Sequence, residues 1–197
     1  MIRPSTLWLL LVLSTAVAAP GAGAQQAEPP TPGPTEPTLQ GAYGDWSLYE
    51  FQQDGGPVCY LASRILKSSA SIPGRRPSYV LITNRPGEGK GGVVSVVGGY
   101  AYQDGSIVTV AIGRRQFHLF TDRDTAWAED SDDPLIVAAL HSGATLNVSG
   151  HMKDGPVITD NFNLKGAAEA LIALDKACPM PGRPAAKAAH KKHKKAK

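Results

Sequence analysis

The sequence predicts a mainly β domain: an antiparallel sandwich or barrel-like sheet with a short internal helix and a C-terminal helix, closed by one disulfide. Three observations predict it. Short β-branched and aromatic runs recur from Ser78 to Phe162, and tight-turn dipeptides separate them. Two helical patterns interrupt these runs, without the strand–helix alternation that a parallel sheet needs.

The first 24 residues form an export signal. Arg3 is the one charge before an almost unbroken apolar run from Leu7 to Ala19. That run is short of the ~20 residues needed to span a bilayer. Ala22-Gly23-Ala24 supplies a small-x-small cleavage site, which places cleavage after Ala24. No cysteine lies nearby, which excludes a lipoprotein, and no later segment reaches membrane-spanning length, so the mature protein is expected to have no transmembrane segment. Residues 25–40 carry Pro29, Pro30, Pro32, Pro34 and Pro37 with almost nothing apolar, as in a disordered, extended spacer. The folded domain is expected over residues 41–179, and a lysine-rich disordered tail over residues 180–197.

Within the domain, strands are expected at Ser78–Thr83, Val93–Val97, Ile107–Ile112, Gln116–Phe120, Ala144–Ser149 and Val157–Phe162. Asp104-Gly105 and Asp154-Gly155 mark tight turns, the second between two strands of a hairpin. Asp133-Pro134, Leu135–Leu140 and Gly143 give an acidic cap, a first-turn proline and a glycine stop for the first helix. The second runs from Ala167 to Ala177, capped by Gly166, with Glu169 suiting its positive end. Leu171, Leu174 and Cys178 recur at i, i+3 and i+7, which turns Cys178 toward the core. An exported chain meets an oxidising compartment, so Cys59 and Cys178 are expected to pair and close nearly the whole domain.

Several motifs, in order, carry a resemblance. They are Gly44-Asp45-Trp46, the stretch Arg76–Pro86, Val94–Tyr100, Phe117–Asp122, Thr125–Ala128, and Thr159–Gly166 followed by a helix and Ala177-Cys178. Over about Gly41 to Cys178 their order and spacing resemble the invasion-associated locus B family of alphaproteobacterial envelope proteins. The resemblance implies a periplasmic or envelope location and, for some members, a part in host-cell invasion. It implies no catalytic mechanism. Many members carry a cysteine soon after the Gly-Asp-Trp motif, where this chain has Tyr49 and Glu50, so any second bridge is absent.

The residue chemistry points away from catalysis. His118, His141 and His151 stand at unrelated spacing, and no Gly-x-Ser-x-Gly elbow is present. His118, between Phe117 and Leu119 on a strand, is expected on the solvent face. The acidic stretch from Asp122 to Asp133 lacks calcium-loop spacing and reads as a solvated loop that caps the Pro134 helix. The glycines from Gly87 to Gly92 miss the first glycine and the Ser/Thr of a phosphate-binding loop. No cofactor or metal is expected, and Trp46 and Trp127 are assigned to the core.

Charge is segregated. Of 20 basic residues, seven lie from Pro181 onward, beside no acid: Arg183, Lys187, Lys191, Lys192, Lys194, Lys195 and Lys197. The mature body keeps 12 basic against 17 acidic residues. A flexible cationic arm attracts anionic surfaces, and an exported protein rarely meets nucleic acid, so no nucleic-acid partner is expected. The expectation is therefore a non-enzymatic periplasmic or secreted interaction module. Its partner is an unknown protein or polymer of the envelope, with the tail lysines on an anionic surface. The alternatives are an envelope-acting enzyme using surface carboxylates such as Asp122 and Asp160, or a structural, stress-protective protein.

Overall fold

The computed structural model describes residues 36–143 and 145–181. The signal segment, nearly all of the spacer and the tail lysines Lys187, Lys191, Lys192, Lys194, Lys195 and Lys197 lie outside them. Among the described residues, eleven strands and two α-helices follow in order. They are β1 (Thr38–Tyr43), β2 (Trp46–Gln53), β3 (Gly56–Arg64), β4 (Lys67–Ser68), β5 (Tyr79–Arg85), β6 (Lys90–Val97), β7 (Ile107–Ile112), β8 (Arg115–Asp122) and β9 (Thr125–Trp127). Helix α1 (Asp133–Ser142), β10 (Thr145–His151), β11 (Val157–Asn163) and α2 (Ala167–Ala177) complete the domain. The first strand begins at Thr38, so residues 38–40 belong to the sheet and not to the spacer.

All strands join one antiparallel sheet in the order β1-β2-β3-β5-β6-β9-β8-β7-β10-β11-β4. The sheet curls without closing. After β3 the chain bends at Ile65-Leu66 and reaches the far edge, where Leu66 N–H donates to Asn161 (2.7 Å) and Ser69 N–H to Thr159 (2.8 Å). Consecutive residues thus link the third strand of the order to its last, as in a sandwich.

Period-two alternation sets the inner face. Trp46 and Leu48, Leu61, Val80 and Ile82, Val94 and Val96, Val108 and Val110, Leu119, Leu146 and Ile158 are all buried there. Helix α2 adds Ala167, Ala170, Leu171 and Leu174, and α1 adds Ile136, Ala139 and Leu140, to one continuous core. The disulfide forms as expected: Cys59 on β3 bonds Cys178 directly after α2. Asn84, fully buried beside it, donates to the Cys178 carbonyl (3.0 Å) and to Asp175 (3.2 Å), and accepts from Gly92 N–H (2.8 Å).

Two glycines explain the motifs at the domain's ends. Gly44 (φ 60°) turns β1 into β2, and Gly166 (φ 86°) starts α2. A Cβ on Gly44 would sit 2.4 Å from the Lys165 carbonyl oxygen, and one on Gly166 would sit 2.1 Å from that of Tyr43. The two turns pack backbone to backbone, joined by Asp45 N–H to Lys165 (3.0 Å). Only glycine fits both the conformation and the contact.

The acidic cap of α1 takes a different form from the expected one. Asp132 is the N-cap, and its side chain makes no capping bond. Asp133 is buried and accepts from Val94 N–H of β6 (2.8 Å), so the carboxylate pins the helix to the sheet. Burial is the largest influence on its pKa and pushes it up to about 6. The Val94 bond lowers it, and Asp130 and Asp132 raise it further.

Candidate functional site

The outer face of β2, β3, β5, β6 and β9 carries a cluster of aromatic side chains among its polar ones. Residues alternating with the core positions point outward: Tyr49 and Phe51, Tyr60 and Arg64, Tyr79 and Leu81, and Trp127. Register makes a site of them. Tyr49 faces Tyr60 across β2–β3, Ala62 faces Leu81 across β3–β5, and Ser95 faces Trp127 across β6–β9. Small side chains in the middle and large ones around them leave a groove of about 520 Å³.

The walls are ordered by ring contacts. Tyr49 and Tyr60 stack at 5.2 Å between centroids, and Phe51 meets Tyr60 edge-on at 6.2 Å. The Arg64 guanidinium lies 5.9 Å from the centre of the Tyr79 ring. Arg85, at the other end, donates to Gln53 (3.0 Å) and reaches Glu88 at 3.4 Å. Among the described residues no carboxylate pairs with Arg64, and none lines the groove. Burial raises the Tyr60 pKa, with further increments from Tyr49 and Tyr79, so its phenol stays protonated at neutral pH. The groove can therefore stack rings, exchange hydrogen bonds through hydroxyls and pair with anions.

Trp127 corrects an expectation: it is half-buried and lines this groove, whereas Trp46 is fully buried. The alternation Tyr60-x-Ala62-x-Arg64 and Tyr79-x-Leu81-x-Thr83 was the signal for an aromatic outer face. The groove itself depends on the pairing of strands distant in sequence.

The other candidates lie apart. His118, His141 and His151 are exposed on three separate elements, His118 on the solvent face of β8 as expected. Among the described residues, no three His, Cys, Asp or Glu side chains gather as metal ligands would. Asp122 is exposed, with Arg123 at 3.4 Å. Asp160, the other carboxylate weighed for an enzyme, is not a surface group but 3% exposed on β11.

Arg75 encloses Asp160 in a bidentate ion pair. Its other bonds go to the Gly98 carbonyl (2.9 and 2.7 Å) and Ser68 Oγ (3.1 Å). The guanidinium lies 5.0 Å from the centre of the Tyr100 ring. Burial tends to lower the Arg75 pKa, and Asp160 more than offsets it, so the group is held charged. Tyr100 is pushed up to about 12, mainly by burial and then by Asp160, and Tyr102 is raised by the same burial. The cluster ties the 69–78 loop, the Gly98 turn and β11 together as a structural latch.

The curated proteins contain no match. Among solved structures, the crystal structure of invasion associated protein B from Bartonella henselae superposes with a TM-score of 0.51. It is 17% identical in sequence, and the match covers 71% of this chain and 98% of that one. At that identity the likeness shows a shared fold. The family model described as "Invasion associated locus B (IalB) protein" matches residues 46–175, from the buried Trp46 to Asp175 beside the disulfide. The chain belongs to the invasion associated locus B protein family.

Proposed function

We propose that this protein is an exported, non-enzymatic interaction module of the bacterial envelope, with the aromatic groove as its binding face and the cationic tail as a tether to anionic surfaces. The groove carries the proposal: aromatic faces, hydroxyls and two arginines line it, and among the described residues no carboxylate or histidine does. Export is supported by the apolar leader with its small-residue cleavage site and by the pairing of the two cysteines. Each tail cation near an anionic leaflet contributes ~1 kcal/mol, and salt screens the attraction.

Fractionation of cells expressing tail and groove variants tests both limbs. Deleting Pro181–Lys197 is expected to release the protein from envelope fractions at low salt. Trp127→Ala with Arg64→Ala is expected to lower retention at a salt concentration where the tail is already screened. Retention unchanged by either variant would contradict the reading. The enzymatic alternative is weakened by the burial of Asp160: loss of activity in Asp160→Ala would reflect loss of the latch as readily as loss of a catalyst.

A further inference from the structure

The groove continues beyond its deepest part. Ala62, Leu81, Ser95 and Trp127 are successive cross-strand neighbours, and the row runs on through Phe120 to Ile107. The last two are exposed apolar side chains, 44% and 53% accessible. All six stand on the outer face, because Leu61, Val80, Val94, Ala126 and Leu119 beside them are core. The row crosses β3, β5, β6, β9, β8 and β7, so at about 4.8 Å per step it is roughly 24 Å long. It runs perpendicular to the strands, as a track for a linear molecule.

The chemistry narrows what lies on it. From Ala62 to Phe120 each residue of the row is paired on both sides, so its backbone groups are committed to the sheet. A peptide that binds by adding a strand finds no free edge along this row. The methylenes of an acyl chain make no hydrogen bond to the hydroxyls of Tyr60, Tyr79 and Ser95, and only its head group pairs with an arginine. Sugar rings meet every requirement: an apolar C–H face stacks on an aromatic ring while ring hydroxyls bond to phenols and guanidinium groups. Arg64, exposed and with no carboxylate partner among the described residues, is free to pair with an anionic substituent.

We infer that the groove holds a linear glycan bearing carboxylates, laid across the strands, with a ring stacked on Trp127 and a carboxylate paired with Arg64. This rests on the reading of the groove as the binding face and names its ligand class.

Polygalacturonate oligomers are a suitable probe, titrated into the full mature chain at about 0.15 M salt, where the Debye length is about 8 Å. Tryptophan fluorescence and calorimetry give the affinity. Trp127→Ala and Arg64→Ala are each expected to weaken binding about tenfold, the equivalent of one good stacking or charge-assisted contact. Trp127→Phe should retain part of it, and neutral amylose should bind at least about tenfold more weakly. Circular dichroism establishes that each variant is folded.

Binding equally strong in wild type, Trp127→Ala and Arg64→Ala would be the work of the cationic tail and would overturn the inference. So would equal affinity for polyglutamate, which has carboxylates without rings. If groove variants lose envelope retention while no glycan binds, the glycan is wrong and the binding face stands.

Discussion

Replacing Asp160 by alanine leaves a guanidinium buried without its counter-charge. The two side chains are 9% and 4% exposed, so water cannot substitute for the lost carboxylate. Arg75 keeps the Gly98 carbonyl and Ser68 Oγ and loses both carboxylate oxygens. Breaking one side of a buried pair costs ~3–5 kcal/mol, and the surviving bonds favour the lower end, ~3 kcal/mol. That is a large part of the ~5–15 kcal/mol that holds a domain folded. With a urea dependence of ~1–3 kcal/mol per molar, the midpoint should fall by about 1–3 M. The assay is equilibrium urea unfolding followed by fluorescence, with the oxidised protein throughout. The double variant Arg75→Met with Asp160→Leu removes both charges and is expected to cost less than the sum of the single variants. An Asp160→Ala variant within ~1 kcal/mol of wild type, or strictly additive singles, would refute the latch.

Replacing Cys59 and Cys178 by serine opens a loop with a sequence separation of 119 and should cost ~2–4 kcal/mol, read as a lower melting temperature than the oxidised protein. An unchanged melting temperature would mean that the helix end is held without the bond. Asp133 gives a pH dependence. Its pKa in the folded protein, about 6, lies above the ordinary 3.8, so its contribution to stability is full below pH 3.8 and is lost as pH rises through 6. That shift corresponds to at most ~3 kcal/mol, and screening near the helix end reduces it to ~1–2 kcal/mol. Asparagine still accepts from Val94 N–H, so Asp133→Asn should flatten the melting temperature between pH 4 and 7 and be the more stable form at pH 7.5. A less stable variant at pH 7.5 would contradict the cost of burying this charge.

How far these features are legible in the sequence depends on how local they are. Apart from β9, strands from Tyr79 onward read clearly because turn residues bound them and their apolar residues face one way. Cys178 reads clearly because one helix face carries it together with Leu171 and Leu174. The first three strands do not: in Trp46–Gln53 and Gly56–Arg64, tyrosine and phenylalanine stand on the outer face, which blurs the apolar–polar alternation that announces a half-buried strand. β9, three residues long, is too short to show a period.

The candidate site is less legible still. Trp127 reads as core by composition, and only its pairing with Ser95 and Phe120 turns it into a groove wall. Arg75 and Asp160 meet across 85 residues, so no local pattern marks them as partners. Asp133 sits where a capping residue is expected, and tertiary packing takes its carboxylate for the sheet.

The central claim is that the outer face of the sheet is the binding face. Residue-resolved NMR of the mature chain, titrated with solubilised envelope polymer at a salt concentration that screens the tail, tests it most directly. The Trp127 indole N–H and the Ala62 and Leu81 methyl resonances are expected to move together, while amides at the Arg114-Arg115 hairpin tip stay in place. Shifts confined to that hairpin, or to the helical side of the core around Leu171, with the groove resonances unchanged, would contradict the claim.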